Sequence, residues 1–272
     1  MSEGTKGGDG DMMYYQMTGF MGGAADTTQS CGAADLPDPD AAALLLDFDG
    51  TLVDIAEKPM DVVVPDATRD LLSRAWEKLD GRVAIVSGRM IGDLEHFLPE
   101  FRGPLVGTHG AEMRLDGVRS PTAEFDEATI SRVQRLVQDF GALRPEFHVE
   151  TKPTGIVLHF RQAEAQSALA LRFMESVAAA ADGMRLQPAL MAYEIKPESV
   201  GKDVALQTLL TRPEFEGALP VYSGDDLTDE PALQLVQDRG GCGIKIGEAE
   251  TVAKYRLHGP PELAKCLGEW LA

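Results

Sequence analysis

Two aspartates spaced two apart, Asp47 and Asp49 in LLLDFDGTL, stand at the end of a continuous apolar run. Residues i and i+2 of a strand point the same way, and the carboxyl end of a strand is where open α/β sheets bind their ligands. Gly50 and Thr51 begin a turn whose free backbone N–H groups can face an anion. A second apolar run, VAIVSGR, delivers Ser87, Gly88 and Arg89, a hydroxyl and loop N–H groups able to bind phosphate oxygens. A third, VYSGDDLTDE, delivers Asp225, Asp226 and Asp229. So many carboxylates at one strand end repel one another unless a cation sits among them, and hard oxygen donors suit Mg²⁺. Lys202, after EIKPESVG, is a lone cation ahead of that third run. Taken singly, DxD is an acidic strand-end turn, SGR a helix start and Lys202 a surface lysine; together they form a constellation for phosphate chemistry.

The elements that must position these residues follow from hydrophobic period. AAALLLDF and VAIVSGR are short apolar runs ending in turns, as expected of strands buried on both faces of a parallel sheet. VPDATRDLLSRAWEKL between them has helical spacing, and a helix at about 90–97 precedes the run PLVGTHG. This strand–helix alternation is that of right-handed βαβ units. Beyond Met113 the rhythm changes. FHVE, GIVLHF, MRLQP and MAYEIK alternate apolar with polar, as in an antiparallel sheet with one wet face, around helical stretches at 125–143 and 164–181. The first pattern then resumes, with helices at about 201–211, at 229–237 and from 260. The expected fold is α/β: a Rossmann-like parallel-sheet core at 41–112 and 196–272, interrupted by an inserted α+β cap at 113–195. Residues 1–40, rich in Gly and Asp and without period, are expected to be a flexible acidic tail.

Composition narrows the function classes. The chain has 272 residues, 44% hydrophobic and 25% charged, which is ordinary for a globular protein. Its 25 Lys and Arg against 44 Asp and Glu leave a net charge of −19, of which the first 40 residues carry −6. Nucleic acid and anionic membrane are therefore excluded as expected partners. Cys31, Cys242 and Cys266 are odd in number and show no CxxC, which fits a reducing cytoplasm. No run reaches the length of a membrane-spanning helix.

DFDGT, SGR, Lys202 and GDDLTDE, in this order and spacing, resemble the four motifs of the haloacid dehalogenase superfamily of aspartate-nucleophile phosphatases. GTHGAE at 107–112, VETKPTGIVLHFR at 149–161, YEIKP at 193–197 and GDDLTDE further resemble the trehalose-6-phosphate phosphatases, across about residues 42–270. The chain departs from that pattern at Gly201, where a Ser or similar is common, and at Asp203, where Gly is usual. The resemblance implies a Mg²⁺-dependent phosphatase. Asp47 would attack phosphorus and Asp49 would serve as acid and then base. Ser87, Gly88 and Lys202 would hold phosphate oxygens, and the metal would sit on Asp47, the Asp49 carbonyl and Asp225. Sugar recognition is expected from Glu150, Lys152 and Glu194, with Arg89, His109, Glu112, His159 and Arg161 as further candidates. His96, His148 and His258 are read as surface or structural. The expected substrate is trehalose 6-phosphate, with functional pairing to a trehalose-6-phosphate synthase. The rival readings are a phosphatase for sucrose phosphate or glucosylglycerol phosphate, and a non-catalytic sugar-phosphate sensor.

Overall fold

The computed structural model describes residues 28–56, 58–121, 126–152, 154–189 and 191–272. Most of the acidic tail, residues 1–27, and Phe125 of the expected helix lie outside the described residues.

In chain order the elements are β1 (Gln29–Ser30), β2 (Ala42–Leu46), α1 (Asp66–Lys78), β3 (Val83–Val86), α2 (Ile91–Phe97), β4 (Leu105–Gly107), β5 (Glu112–Leu115) and β6 (Val118–Pro121). Next come α3 (Glu127–Ala142), β7 (His148–Lys152), β8 (Gly155–His159), α4 (Ser167–Ala179), β9 (Met184–Ala189) and β10 (Ala192–Pro197). The chain closes with α5 (Lys202–Leu210), β11 (Leu219–Gly224), α6 (Glu230–Asp238), β12 (Cys242–Ile246), β13 (Tyr255–Leu257) and α7 (Pro260–Trp270).

The larger sheet has the order β1-β13-β12-β11-β2-β3-β4-β5-β6, parallel from β1 to β4 and antiparallel across β4, β5 and β6. Alternation within β2 explains its position. Ala42, Leu44 and Leu46 enter one apolar cluster with residues of α1, α2 and α7, while Ala43 and Leu45 enter another with residues of α5 and α6. A strand coated on both faces must be apolar throughout, as the run AALLL is. Connections leave β2 toward β3 on one side, and β11 proceeds toward β12 on the other. The β2/β11 boundary is therefore a topological switch point, where the carboxyl ends of neighbouring strands open a crevice.

The smaller sheet is antiparallel, β7-β8-β10-β9. Ile156, Leu158, Tyr193 and Ile195 pack on one face against α3 and α4 through Val133, Val137, Ala170 and Met174. Register aligns Lys152, Gly155, Lys196 and Arg185 in one row of the opposite, polar face, and Glu150, Val157, Glu194 and Gln187 in the next.

Two segments differ from the sequence reading. Residues 28–40 are not part of a flexible tail. β1 pairs with β13, Cys31 and Leu36 are buried, and Trp270 Nε1 donates to the Pro37 carbonyl at 2.7 Å. Pieces of two or three residues carry no readable period, so this packing left no signal. Residues 113–121, expected to open the cap, instead extend the larger sheet as β5 and β6. Asp116 and Gly117 both take positive φ in the turn between them, which is the two-residue hairpin requirement that an Asp-Gly pair meets.

Candidate active site

Lys202 is the centre of the crevice. It is the first residue of α5, and its buried Nζ donates to Asp47 Oδ1 and Asp229 Oδ1, each at 2.7 Å. Asp47 follows β2 and its N–H donates to the Ser223 carbonyl of β11, which ties it across the switch point. Asp229 is wholly buried; it accepts from the Tyr222 hydroxyl and, at 3.0 Å, from the Asp226 N–H. Burial disfavours the Lys202 ammonium, but the two carboxylates outweigh it and hold the amine firmly charged. Asp47 is pushed up by burial, and the charges of Asp229 and Asp225 add to the effect against the pull of Lys202. Burial, then Asp229, raises Asp225 to about 6.

Among the described residues, Asp47, Asp225 and Asp229 each place one carboxylate oxygen within 4.8 Å of the others. Three hard oxygen donors gathered this closely fit a small divalent cation such as Mg²⁺. The metal set read from sequence is Asp47, the Asp49 carbonyl and Asp225. Asp47 and Asp225 lie in this cluster, the Asp49 carboxylate is engaged by Arg89, which leaves its main-chain carbonyl for that role, and the third acid, Asp229, is engaged by Lys202. Gly50 (φ +72°) is required beside the cluster, because a Cβ there would lie 2.1 Å from Asp225 Oδ2. Behind the acidic loop, buried Lys245 donates to Glu230 at 2.9 Å and to the Asp226 carbonyl at 3.4 Å.

Ser87 and Gly88 follow β3, with Gly88 against the His109 ring. Ser87 is almost fully buried and its Oγ accepts from the Arg89 N–H at 3.2 Å. A Cβ on Gly88 would meet the His109 ring at 2.5 Å. His109 has positive φ and its N–H donates to the Ser87 carbonyl. Burial first, then the charges of Lys202, Lys196 and Lys152, lower the imidazole to about 3, so it is neutral at any physiological pH. Its Nδ1 and the Thr51 hydroxyl are buried without a protein partner, as polar atoms that serve a ligand are.

Arg89 does not stand free for substrate. Its Nε and Nη2 clasp the two oxygens of Asp49 at 2.6 and 2.7 Å, and its Nη1 donates to the Pro59 carbonyl. The guanidinium lies 4.9 Å from the Phe97 ring centroid and 5.6 Å from that of Phe48. Glu112 is likewise occupied, accepting from the Ile91 N–H at the start of α2 and from the Thr108 hydroxyl.

The polar face of the smaller sheet brings the other candidates together. Lys152 donates to Glu194 at 3.2 Å, and His159 Nε2 lies 2.9 Å from Glu150 Oε2. Arg161 is exposed beyond the far end of β8 and does not join them. Lys196, which the sequence reading passed over, does. It lies in the row of Lys152, is 4% exposed, and burial lowers it to about 8. The signal was available: Glu194 and Lys196 are two apart on one strand and so share a face.

The family model for trehalose-phosphatase matches residues 45–261. The chain is 33% identical over 221 residues to trehalose-6-phosphate phosphatase of Escherichia coli, covering 81% of this chain and 83% of the relative. It is 30% identical over 220 residues to the bifunctional trehalose-6-phosphate synthase/phosphatase of Thermoproteus tenax, covering 79% of this chain and 30% of that one. The solved structure of Aspergillus fumigatus trehalose-6-phosphate phosphatase has the same fold, with TM-score 0.72 at 22% identity over 90% of this chain and 98% of that one.

Proposed function

The chain belongs to the trehalose-phosphatase family, within the haloacid dehalogenase-like phosphoric monoester hydrolases, and from that premise we propose that it hydrolyses trehalose 6-phosphate to trehalose and phosphate through an aspartyl-phosphate on Asp47. The observation that carries this reading is the carboxylate–ammonium cluster of Asp47, Asp229 and Lys202 at the switch point. In the first step an Asp47 carboxylate oxygen bonds to phosphorus as the bond to the sugar oxygen breaks, and that sugar oxygen takes the proton of Asp49. In the second, water attacks the aspartyl-phosphate, gives its proton to Asp49 and releases inorganic phosphate, restoring Asp47. Dividing the displacement suits a weak carboxylate nucleophile, and positioned proton transfer contributes about 10² to 10⁴ in rate.

Ser87, the Gly88 N–H and Lys202 are the groups proposed to hold the transferring oxygens. Mg²⁺, when bound by Asp47, Asp225 and the Asp49 carbonyl, supplies charge neutralisation that lets a carboxylate approach a phosphate dianion. Asp229 holds Lys202 in place. Residues of the smaller sheet are proposed as a cap (126–197) over a core (28–121 and 202–272), reading the sugar with Lys152, Glu194, Lys196, Glu150 and His159. Glu112 and Arg89 support the site from behind, and Arg161 takes no part. His109, neutral and poised over Gly88, is placed to hydrogen-bond the leaving sugar.

Among the described residues no helix is long and apolar enough to cross a membrane. The three cysteines are unpaired, which supports a reducing, cytoplasmic location. The Thermoproteus tenax relative, described as both synthase and phosphatase, supports a functional pairing of this chain with a synthase.

The test is phosphate release from a panel of sugar phosphates in Mg²⁺ and in EDTA. Trehalose 6-phosphate should be the preferred substrate, and EDTA should abolish turnover. Equal rates on sucrose 6-phosphate or glucose 6-phosphate would remove the substrate assignment, and no turnover of any ester would favour a sensor.

A further inference from the structure

Gly201 and Asp203, the residues on either side of Lys202, meet at one side chain of the smaller sheet. Arg185 of β9 forms a two-pronged ion pair with Asp203, Nη2 to Oδ1 at 3.1 Å and Nη1 to Oδ2 at 3.2 Å. The same Nη2 donates to the Val200 carbonyl at 3.0 Å. Arg185 thus grips the chain on both sides of Lys202, two residues before it and one after. Both charged groups are largely withdrawn from solvent, with side chains 26% and 18% exposed.

Helix α5 starts without the usual support. Its N-cap is Gly201, which offers no side-chain oxygen to the first free N–H groups. A Cβ on Gly201 would lie 2.0 Å from Arg185 Nη2 and 2.2 Å from Asp203 Oδ1, so a serine there would displace the ion pair from this geometry. On the other side, a Cβ on Gly110 would strike the Gly201 carbonyl at 2.4 Å, so the turn that carries His109 also rests on this residue. Glycine is here because the guanidinium and carboxylate occupy the space above it.

We propose that Arg185 is a positioning residue for the phosphatase reaction: by clamping Val200 and Asp203 it fixes the α5 start that presents Lys202 to Asp47, in place of a side-chain cap at Gly201. The inference rests on the role proposed above for Lys202. It also couples the two sheets, since the clamp comes from β9 and the clamped turn belongs to the core. Without Arg185, the Asp203 carboxylate is left within electrostatic reach of Lys196, and the first turn of α5 is held by neither cap nor clamp.

The experiment compares Arg185→Ala, Gly201→Ser and the triple variant Arg185→Ala/Gly201→Ser/Asp203→Gly, measuring kcat and KM on trehalose 6-phosphate and p-nitrophenyl phosphate together with Tm. Each single variant should lose kcat by about tenfold to 100-fold on both esters, the scale of a mispositioned catalytic group. The triple variant, in which the introduced serine has room to cap the helix, should recover most of that loss. Arg185→Ala reducing Tm with unchanged kcat in the folded enzyme would overturn the proposal, as would a KM increase confined to trehalose 6-phosphate. So would a Gly201→Ser enzyme that matches wild type, or a triple variant no better than the singles; these two readings hold even where Arg185→Ala does not fold. Asp47→Asn serves as the control. Its turnover would sink the proposed function itself, whereas its inactivity beside wild-type-like Arg185→Ala and Gly201→Ser enzymes would sink only the role of Arg185.

Discussion

Arg89 clasps both carboxylate oxygens of Asp49 while its guanidinium rests on the rings of Phe97 and Phe48. A bidentate pair of this kind fixes orientation as well as charge. Arg89→Ala should therefore act through Asp49 and resemble Asp49→Asn. Its kcat/KM should fall about 10²-fold or more on trehalose 6-phosphate, whose alkoxide must be protonated as it leaves. On p-nitrophenyl phosphate, whose leaving group needs no proton, the fall should be much smaller. Equal losses on both esters would show that Arg89 does not serve the proton donor.

Lys202 supplies the counter-charge for two buried carboxylates. Lys202→Met should cost about 3–5 kcal/mol of stability in EDTA, because it strands Asp47 and Asp229. Mg²⁺ should restore part of that stability but none of the activity. Denaturant titration with and without metal measures both. An unchanged midpoint in EDTA would contradict the assigned charge balance.

Gly50 leaves room for Asp225 that a single methyl group would take away. Gly50→Ala should raise the Mg²⁺ concentration needed for half-maximal activity by about 10-fold to 100-fold, the range typical when groups supporting a metal ligand are disturbed. A Mg²⁺ titration of initial rate decides it, and an unshifted titration would mean that Asp225 does not hold the metal.

Lys196 is lowered to about 8 by burial, so its charge is lost as pH rises through that value. KM for trehalose 6-phosphate should rise above pH 8 in the wild type. It should be high and pH-independent over the same interval in Lys196→Met, while p-nitrophenyl phosphate shows neither effect. The sign for stability is opposite. Burying the ammonium costs most below pH 8, and the cost fades toward pH 10.5, where the unfolded side chain also loses its proton.

The parallel core was legible because β2, β3 and β11 are coated on both faces and so read as unbroken apolar runs ending in Asp47, Ser87 and Asp225. The polar face of the smaller sheet was legible through its period of two; the family resemblance singled out Glu150, Lys152 and Glu194, and the period of two applied from Glu194 reaches Lys196. Partner choice was not legible. That Asp229 and Asp47 share Lys202, and that Arg89 and Glu112 turn inward instead of toward the crevice, depends on contacts 21 to 155 residues apart in the chain. The ordering of residues 28–40 was hidden for a related reason, since β1 is two residues long and its partner is β13.

The central claim is that Asp47 carries the phosphoryl group. Its most direct test is to quench Asp49→Ala enzyme during turnover of p-nitrophenyl phosphate labelled in its phosphate, an ester whose leaving group needs no proton from Asp49, and to locate the label by peptide mass analysis. Loss of the general base should slow hydrolysis of the intermediate, so the label should appear on the peptide containing Asp47 and be absent from Asp47→Asn. Label on another residue, or phosphate release by Asp47→Asn at the wild-type rate, would contradict the account.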